Sequence, residues 1–408
     1  MALPLDGVKI IDFTIMMQGP QATQMLADMG AEVFKIERPE RLGGPSGRAD
    51  ERYGLTGNYK IKPEENRWYA SAFQAHNRNK KSLTVDLKNP KGIEIIKRLI
   101  TKSDVVYENF RPKVMDRLGI GYADCVKLNP SIIFASASGY GPDGPYVNRP
   151  GQDLLAQGVS GFATMNATAD GRPTTVPLSI GDLLGAMYGA YGVLGALFHR
   201  QKTGEGQQMT VCLIDSLIAA LSEVATHHLN TDVEENRGSD QHACPYIPTP
   251  YGIYKTRDGY LALSGSQTVP KLSEVLGLAD LTQDVRFDDF WKRVNNRKEM
   301  DQVLEDALLK KTTAEWIEIM GKADLWCGEV NSLKQAFQDP QIIHNKMVST
   351  VDSPVGPMNL VSPPYKLSKT PATVRTPAPK LGEHTDEILR FAGYSEVEVG
   401  ALRQEGVV

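Results

Sequence analysis

The sequence predicts an α/β protein: a large open parallel-sheet lobe followed by a smaller α/β lobe. Three observations carry this expectation. Short apolar segments alternate with amphipathic ones from the first residues onward, the pattern of strands joined by crossover helices. A chain of 408 residues is too long for one ordinary core, so two lobes are expected. A composition of 41% hydrophobic and 23% charged residues is that of a soluble globular protein.

Residues 8–13 read as a strand, Gly19 and Pro20 open a helix, Gly30 ends it, and residues 32–36 form the next strand. Strand, helix and strand within about thirty residues make a βαβ unit. The pattern repeats with a strand at 82–87, a helix at Pro90–Ile100, and strands at 104–107 and 131–137. Ligands of such a Rossmann-like sheet bind at the carboxyl ends of the strands. The first turn, Thr14-Ile15-Met16-Met17-Gln18-Gly19-Pro20, has one glycine where the dinucleotide fingerprint needs three, which argues against a nicotinamide dehydrogenase. Residues 38–71 have weak periodicity and read as a long loop flanking the site. From Leu183 to Phe198 no side chain is charged, so the helix there is apolar on every side and belongs inside a large protein. Asp182 reads as an anionic N-cap at its mouth. The expected organisation is a large lobe over 1–200, a linker helix over 201–229, a small α/β lobe over 230–330 built on a hairpin, and a return segment over 331–408. The return segment is proline-rich and closes with one helix from Thr385 into Leu402.

A net charge of -4 gives no overall attraction to nucleic acid or to an anionic membrane, so neither partner is expected. An anionic ligand must be met locally. Arg38, Arg78, Lys80, Lys81, Arg111 and Arg117 stand near successive strand edges. Singly, each reads as a solvated charge; together they suggest a polyanionic nucleotide such as a phosphorylated ADP. The longest apolar run is broken by glycines and tyrosines, as in a buried helix rather than a bilayer span. Without a basic then apolar export segment, a cytoplasmic location is expected. The four cysteines are scattered, with no C-x-x-C pair, and His227 and His228 are adjacent rather than a turn apart, so no metal site is expected.

Several motifs, in order, make the chain resemble the family III coenzyme A transferases, a group with formyl-CoA transferase, carnitine CoA-transferase and the related methylacyl-CoA racemases. They include Gly30-Ala31-Glu32-Val33-Phe34-Lys35-Ile36-Glu37, Val106-Tyr107-Glu108-Asn109-Phe110-Arg111-Pro112, Gly151-Gln152-Asp153, Gly181-Asp182 and Leu381-Gly382-Glu383-His384-Thr385. The resemblance implies that Asp182 is the catalytic aspartate. It implies that Arg38, Asn77, Arg78, Asn79, Lys80, Asn109, Phe110 and Arg117 grip coenzyme A, with Met17 and Gln18 lining the reaction centre. Met17 stands where the formyl-CoA enzyme has a glutamine. Gln152 and Asp153 fall beside the acyl pocket, and Tyr140 lies in a glycine-rich turn facing substrate.

Coenzyme A and its thioesters are implied as substrates, with no permanently bound cofactor. The implied partners are an acyl-CoA and a small organic acid, and the implied assembly is an interlocked homodimer, with heteromers known in the family. The implied reaction passes coenzyme A to the acid through an aspartyl mixed anhydride and an aspartyl-CoA thioester. Residues 139–141 and 264–266 are candidate turns for oxyanion donors. Two other readings stay open. A racemase needs a base on each side of the carbon, yet Gln152 stands where the racemases have histidine, and an amide is not a base. A non-catalytic acyl-CoA-binding subunit is opposed by the intact Asp182. Residues 240–246 replace the glycine run of the formyl-CoA type, which points to a larger acid, with Arg149, His242 and Tyr246 as candidates for reading it.

Overall fold

Six parallel strands form the main sheet of the protein, whose structure here is a computed structural model describing residues 2–39, 42, 71–233, 238–354 and 356–408. Most of the loop expected over 38–71 lies outside the described residues. The strands are β1 (Lys9–Asp12), β2 (Glu32–Glu37), β3 (Lys80–Thr84), β4 (Val105–Glu108), β5 (Ile133–Ser138) and β6 (Gln208–Cys212), in the order β3-β2-β1-β4-β5-β6. Winding starts at β1, runs outward to β3 and then resumes at β4 on the other side. This puts the topological switch point, the usual ligand crevice of such sheets, at the carboxyl ends of β1 and β4. Both strands are buried almost throughout, which is why they read as continuous apolar runs.

Alternate residues feed two cores. Ile11, Phe34, Leu83 and Val106 meet the helix Pro90–Ile100 and the C-terminal residues Ile388, Leu389 and Leu402 on one face. Ile10, Val33, Val105 and Tyr107 meet Leu26 and the small residues Ala186, Ala190 and Ala196 on the other. The last three belong to the long helix Ile180–Thr203, whose buried residues are all glycine, alanine or valine. Burial on every side is not what is found: Met187, Tyr191 and Phe198 are 50%, 76% and 59% exposed. A uniformly apolar run does not say which face meets the core; the glycine face does, because it lets backbones approach closely.

Residues 201–229 do not form the expected linker helix. The long helix stops at Gly204, a left-handed C-cap with φ near +80°, and β6 follows as a sixth sheet strand. Two further helices, Leu213–Ala220 and Ser222–Thr231, complete the stretch. As an edge strand of five residues, β6 buries little, and its Gln208-Met209-Thr210-Val211 alternation is a weak signal.

The chain divides into two compact units: residues 1–156, 178–220 and 343–408 in one, and residues 157–177 and 221–342 in the other. The second unit holds an antiparallel sheet of β7 (Tyr251–Lys255), β8 (Tyr260–Ser264) and β9 (Trp326–Glu329), packed on a core of Tyr254, Leu261, Leu272, Met300 and Trp316. Residues 343–408 contribute the hairpin β10 (Val348–Ser353) and β11 (Gly356–Val361) to the first unit. The single closing helix is in fact two, Thr385–Phe391 and Glu396–Gln404. Gly393, with φ near +94°, ends the first, and a Ser395–Glu398 capping box starts the second.

Candidate active site

The turn after β1 is pinned from below. Asp12 accepts hydrogen bonds from the Thr14 amide (2.8 Å) and hydroxyl, from Thr23 Oγ1 (2.7 Å) and from Lys80 Nζ (2.9 Å). Lys80 Nζ also donates to the Pro20 carbonyl and to Asn77 Oδ1, each at 2.9 Å, and Lys35 Nζ donates to the Thr14 carbonyl at 2.9 Å. Burial lowers the Lys80 ammonium to about 8. Burial also works against the Asp12 charge, but Lys80 and Lys35 outweigh it and hold the carboxyl below its ordinary value. So anchored, the turn keeps Met16 at φ near +64°, a strained value for a side chain with a β-carbon.

The turn after β4 clasps it from the side. The Ile15 amide donates to Asn109 Oδ1 and Asn109 Nδ2 donates to the Ile15 carbonyl, both at 2.8 Å. Phe110 packs on Phe13, and its amide donates to Glu108 Oε2 at 2.8 Å. Burial raises the Glu108 carboxyl to about 7.

After β5 the backbone of Gly139 lies directly on that of Gly151, with no space for a β-carbon on either. This contact fixes the entry to the helix Asp153–Val159. Asp153 Oδ1 accepts from the amides of Gly181 (2.6 Å) and Asp182 (3.3 Å). The long helix is therefore capped by a residue 28 positions upstream of Gly181. Its own N-cap, Ser179, makes no side-chain cap bond, and Asp182 is the third helical residue rather than the cap. A carboxylate is favoured at either position, so sequence did not separate them.

Burial, reinforced by the charge of Asp153, raises the Asp182 carboxyl to about 7. No hydrogen bond reaches that carboxyl group among the described residues. One turn further along the helix, the side-chain amide of Gln18 fills the place where Gly185 lacks a side chain.

The remaining sequence-predicted residues fall into two groups. Arg38 and Arg117 are exposed, as is Gln152, while Met17, Asn109, Phe110 and Tyr140 are half-buried. Asn77, Arg78, Asn79 and Lys80, by contrast, engage the fold itself. Arg78 is buried in an ion pair with Asp28 at 2.7 Å. The Asn79 side chain binds Asp28, the Thr373 carbonyl and the amides of Arg375 and Thr376. Asn77 donates to the Phe73 carbonyl at 3.1 Å. Sequence reasoning saw the cations but missed Asp12 and Asp28, the buried acids beneath them.

In the two candidate oxyanion turns, the amide of Gly141 donates to Ser138 Oγ (2.9 Å) and that of Gly265 to the Pro250 carbonyl (2.9 Å), which takes these two amides out of the candidate set. One other expectation needs correcting. His242 is fully buried with Nε2 on the Ile247 carbonyl at 2.7 Å, so it is not placed to read an acid. Arg149 is exposed, its guanidinium stacked 3.7 Å above the Tyr146 ring, which Tyr140 meets edge-on. No metal-ligating cluster of three or more side chains occurs among the described residues.

Residues 5–385 match the sequence family described as CoA-transferase family III. The chain belongs to CoA-transferase family III. Among the relatives of this transferase is the succinyl-CoA:glutarate CoA-transferase of Homo sapiens, 34% identical over 409 residues covering 99% of this chain and 90% of the relative. Another is the succinyl-CoA–L-malate CoA-transferase beta subunit of Chloroflexus aurantiacus, 31% identical and covering 100% of this chain and 98% of the relative. The crystal structure of a CAIB/BAIF family protein from Brucella suis matches with a TM-score of 0.81 at 30% identity, covering 96% of this chain and 100% of that one. The transferase is thus an enzyme handling coenzyme A thioesters on the α/β fold its relatives share.

Proposed function

We propose that the transferase passes coenzyme A from succinyl-CoA to a dicarboxylic acid through Asp182. The observation that carries this reading is the Asp182 carboxyl itself, in the first turn of the long helix, where no donor reaches it among the described residues. The relatives named for succinyl-CoA with glutarate or L-malate support the choice of substrates.

In the proposed sequence a carboxylate oxygen of Asp182 adds to the thioester carbonyl carbon. The carbon–sulfur bond breaks, coenzyme A leaves as the thiolate, and a mixed anhydride remains. The thiolate then adds to the Asp182 carbonyl carbon and expels the donor acid as its carboxylate, giving an aspartyl-CoA thioester. The acceptor carboxylate attacks that thioester and releases the thiolate, which finally adds to the acceptor's acyl carbon and frees Asp182. One thioester replaces another, so no net proton and no nucleotide hydrolysis is required.

Arg38 and Arg117, both exposed, are assigned to the coenzyme A phosphates, and Met17, Asn109 and Phe110 to the walls of its site. Asn77, Arg78, Asn79 and Lys80 are assigned to holding that site in shape. Tyr140, Gln152 and Asp153 are assigned to the surroundings of the acyl group. The exposed apolar residues Met187, Tyr191 and Phe198 support a second copy covering the long helix, with a heteromer as the competing assembly, given the beta subunit among the relatives. Four free cysteines support a reducing, cytoplasmic setting.

The test is incubation with succinyl-CoA and a panel of mono- and dicarboxylates, with new thioesters read by mass spectrometry. Products from four- and five-carbon diacids are expected; thioesters of monocarboxylates alone would sink the substrate assignment.

Asp153→Asn probes the electrostatics. Asparagine Oδ1 can still accept from the Gly181 amide, but the charge that helps raise Asp182 is gone. Ionised Asp182 is the nucleophile, so kcat/KM should rise with pH through about 7 in the native enzyme. In the variant that limb is expected about one pH unit lower. An unmoved limb would mean that burial alone sets it.

A further inference from the structure

We infer that the side-chain amide of Gln18 is the hydrogen-bond donor for the oxyanion that forms on Asp182's own carboxyl group. The inference rests on the proposed acylation of Asp182. A buried, unpartnered donor lies against the face of the long helix that carries Asp182. Gln18 is 5% exposed, yet its Nε2 has no hydrogen-bond partner. A buried donor left unpaired is destabilising, so its retention calls for an explanation. The Asp182 carboxyl is the complementary case, an acceptor that no donor reaches among the described residues.

The fold puts these groups within one turn of each other. Gln18 opens the helix Gln18–Asp28, which packs on the long helix. Its amide lies against Gly185, where any side chain would displace it. Gly185 follows Asp182 by three residues, and residues three apart share a helix face about 5–6 Å apart. A turn of the glutamine's terminal torsions therefore carries Nε2 toward Asp182 along a face kept clear by glycine. The Tyr107 hydroxyl, also buried and unpartnered, lies one turn further on, against Gly189. At two turns, or about 10 Å, from Asp182 it is too remote for the same role.

Two of the four additions occur at the Asp182 carbonyl carbon: attack of the coenzyme A thiolate on the anhydride, and attack of the acceptor carboxylate on the aspartyl thioester. In each, electrons from the carbonyl double bond move onto Asp182's oxygen, and they return as the leaving group departs. A donor that bonds this oxygen only while it carries the charge lowers the barrier without tightening ground-state binding.

The experiment replaces Gln18 by apolar residues of similar size, Gln18→Met and Gln18→Leu, with Tyr107→Phe as the control. Each Gln18 variant should lower kcat about 100-fold. KM for the acyl-CoA should stay within about threefold, and thermal stability should hold or rise because an unpaired buried donor has gone. Tyr107→Phe should keep kcat within about twofold and also hold its stability. Hydroxylamine trapping in wild type during turnover tests the underlying reading separately: unlabelled Asp182 would overturn that reading. With Asp182 labelled, a kcat within threefold of wild type in both Gln18 variants, or a loss of activity that merely follows a loss of stability, would overturn the role of Gln18.

Discussion

Asp182→Asn should abolish coenzyme A transfer and, at the same time, stabilise the folded protein above neutral pH. Loss of the nucleophile is expected to lower kcat on the order of 10,000-fold or more, because an amide neither attacks the thioester nor carries the acyl group. The stability effect follows from linkage. The folded protein holds the Asp182 proton up to about pH 7, whereas the ordinary carboxyl value is 3.8. Between those values the folded state binds more protons than the unfolded one, so stability falls as pH rises. Above pH 7 the penalty is complete; below about pH 4 it is absent. The rise from 3.8 to about 7 sets an upper bound of about 4 kcal/mol, and relaxation at the helix mouth should leave about 1–3 kcal/mol. Melting curves of the two proteins should therefore coincide near pH 4 and separate near pH 8, with asparagine the more stable. A variant that melts lower at pH 8, or that retains a tenth of the turnover, would remove Asp182 from its proposed place.

The parts of this arrangement that were legible in sequence are those that depend on near neighbours. The strand and helix periods around Val33 and Ile95 are local, and so is the match of Pro90–Ile100 to its helix. Asp182, Met17 and Gln18 were singled out through motifs shared with the family, which are short local stretches as well. What escaped were relations between distant residues. Asp153 caps a helix 28 positions away, an arrangement no local pattern encodes. Arg78 and Lys80 looked like ligands for phosphate because their partners, Asp28 and Asp12, lie 50 and 68 positions earlier. Charge types are visible in a sequence; the pairing that uses them up is not. The same holds for His242, whose ring is consumed by a carbonyl of its own loop. Strand β6 was missed for another reason: an edge strand shows one weakly buried face and leaves little periodic signal.

Lys80→Met should be the most damaging single change to stability in the large unit. Both members of the Lys80–Asp12 pair have fully buried side chains, and methionine would leave the Asp12 carboxylate charged and desolvated without its main partner. Breaking a buried pair from one side typically costs about 3–5 kcal/mol. Lys80 also donates to the Pro20 carbonyl and to Asn77, so the same change frees the helix start that carries Gln18. Activity should fall beyond what the unfolded fraction explains. The double variant Asp12→Asn with Lys80→Met removes both charges and should recover part of the loss, which urea unfolding can read as a coupling energy of about 1–3 kcal/mol. Arg78→Met offers the comparison. It also strips a buried aspartate of a cation, but Asp28 keeps the amides of Gln24 (2.5 Å) and Asn79 (2.7 Å) as donors. Asp12 likewise keeps the Thr14 and Thr23 donors, so the difference lies in the complete burial of Lys80 and in its further bonds to the Pro20 carbonyl and Asn77, and the cost of Arg78→Met should be the smaller. If Arg78→Met proved the worse of the two, the pinning of the first turn by Asp12 and Lys80 would not be what holds this end of the sheet together.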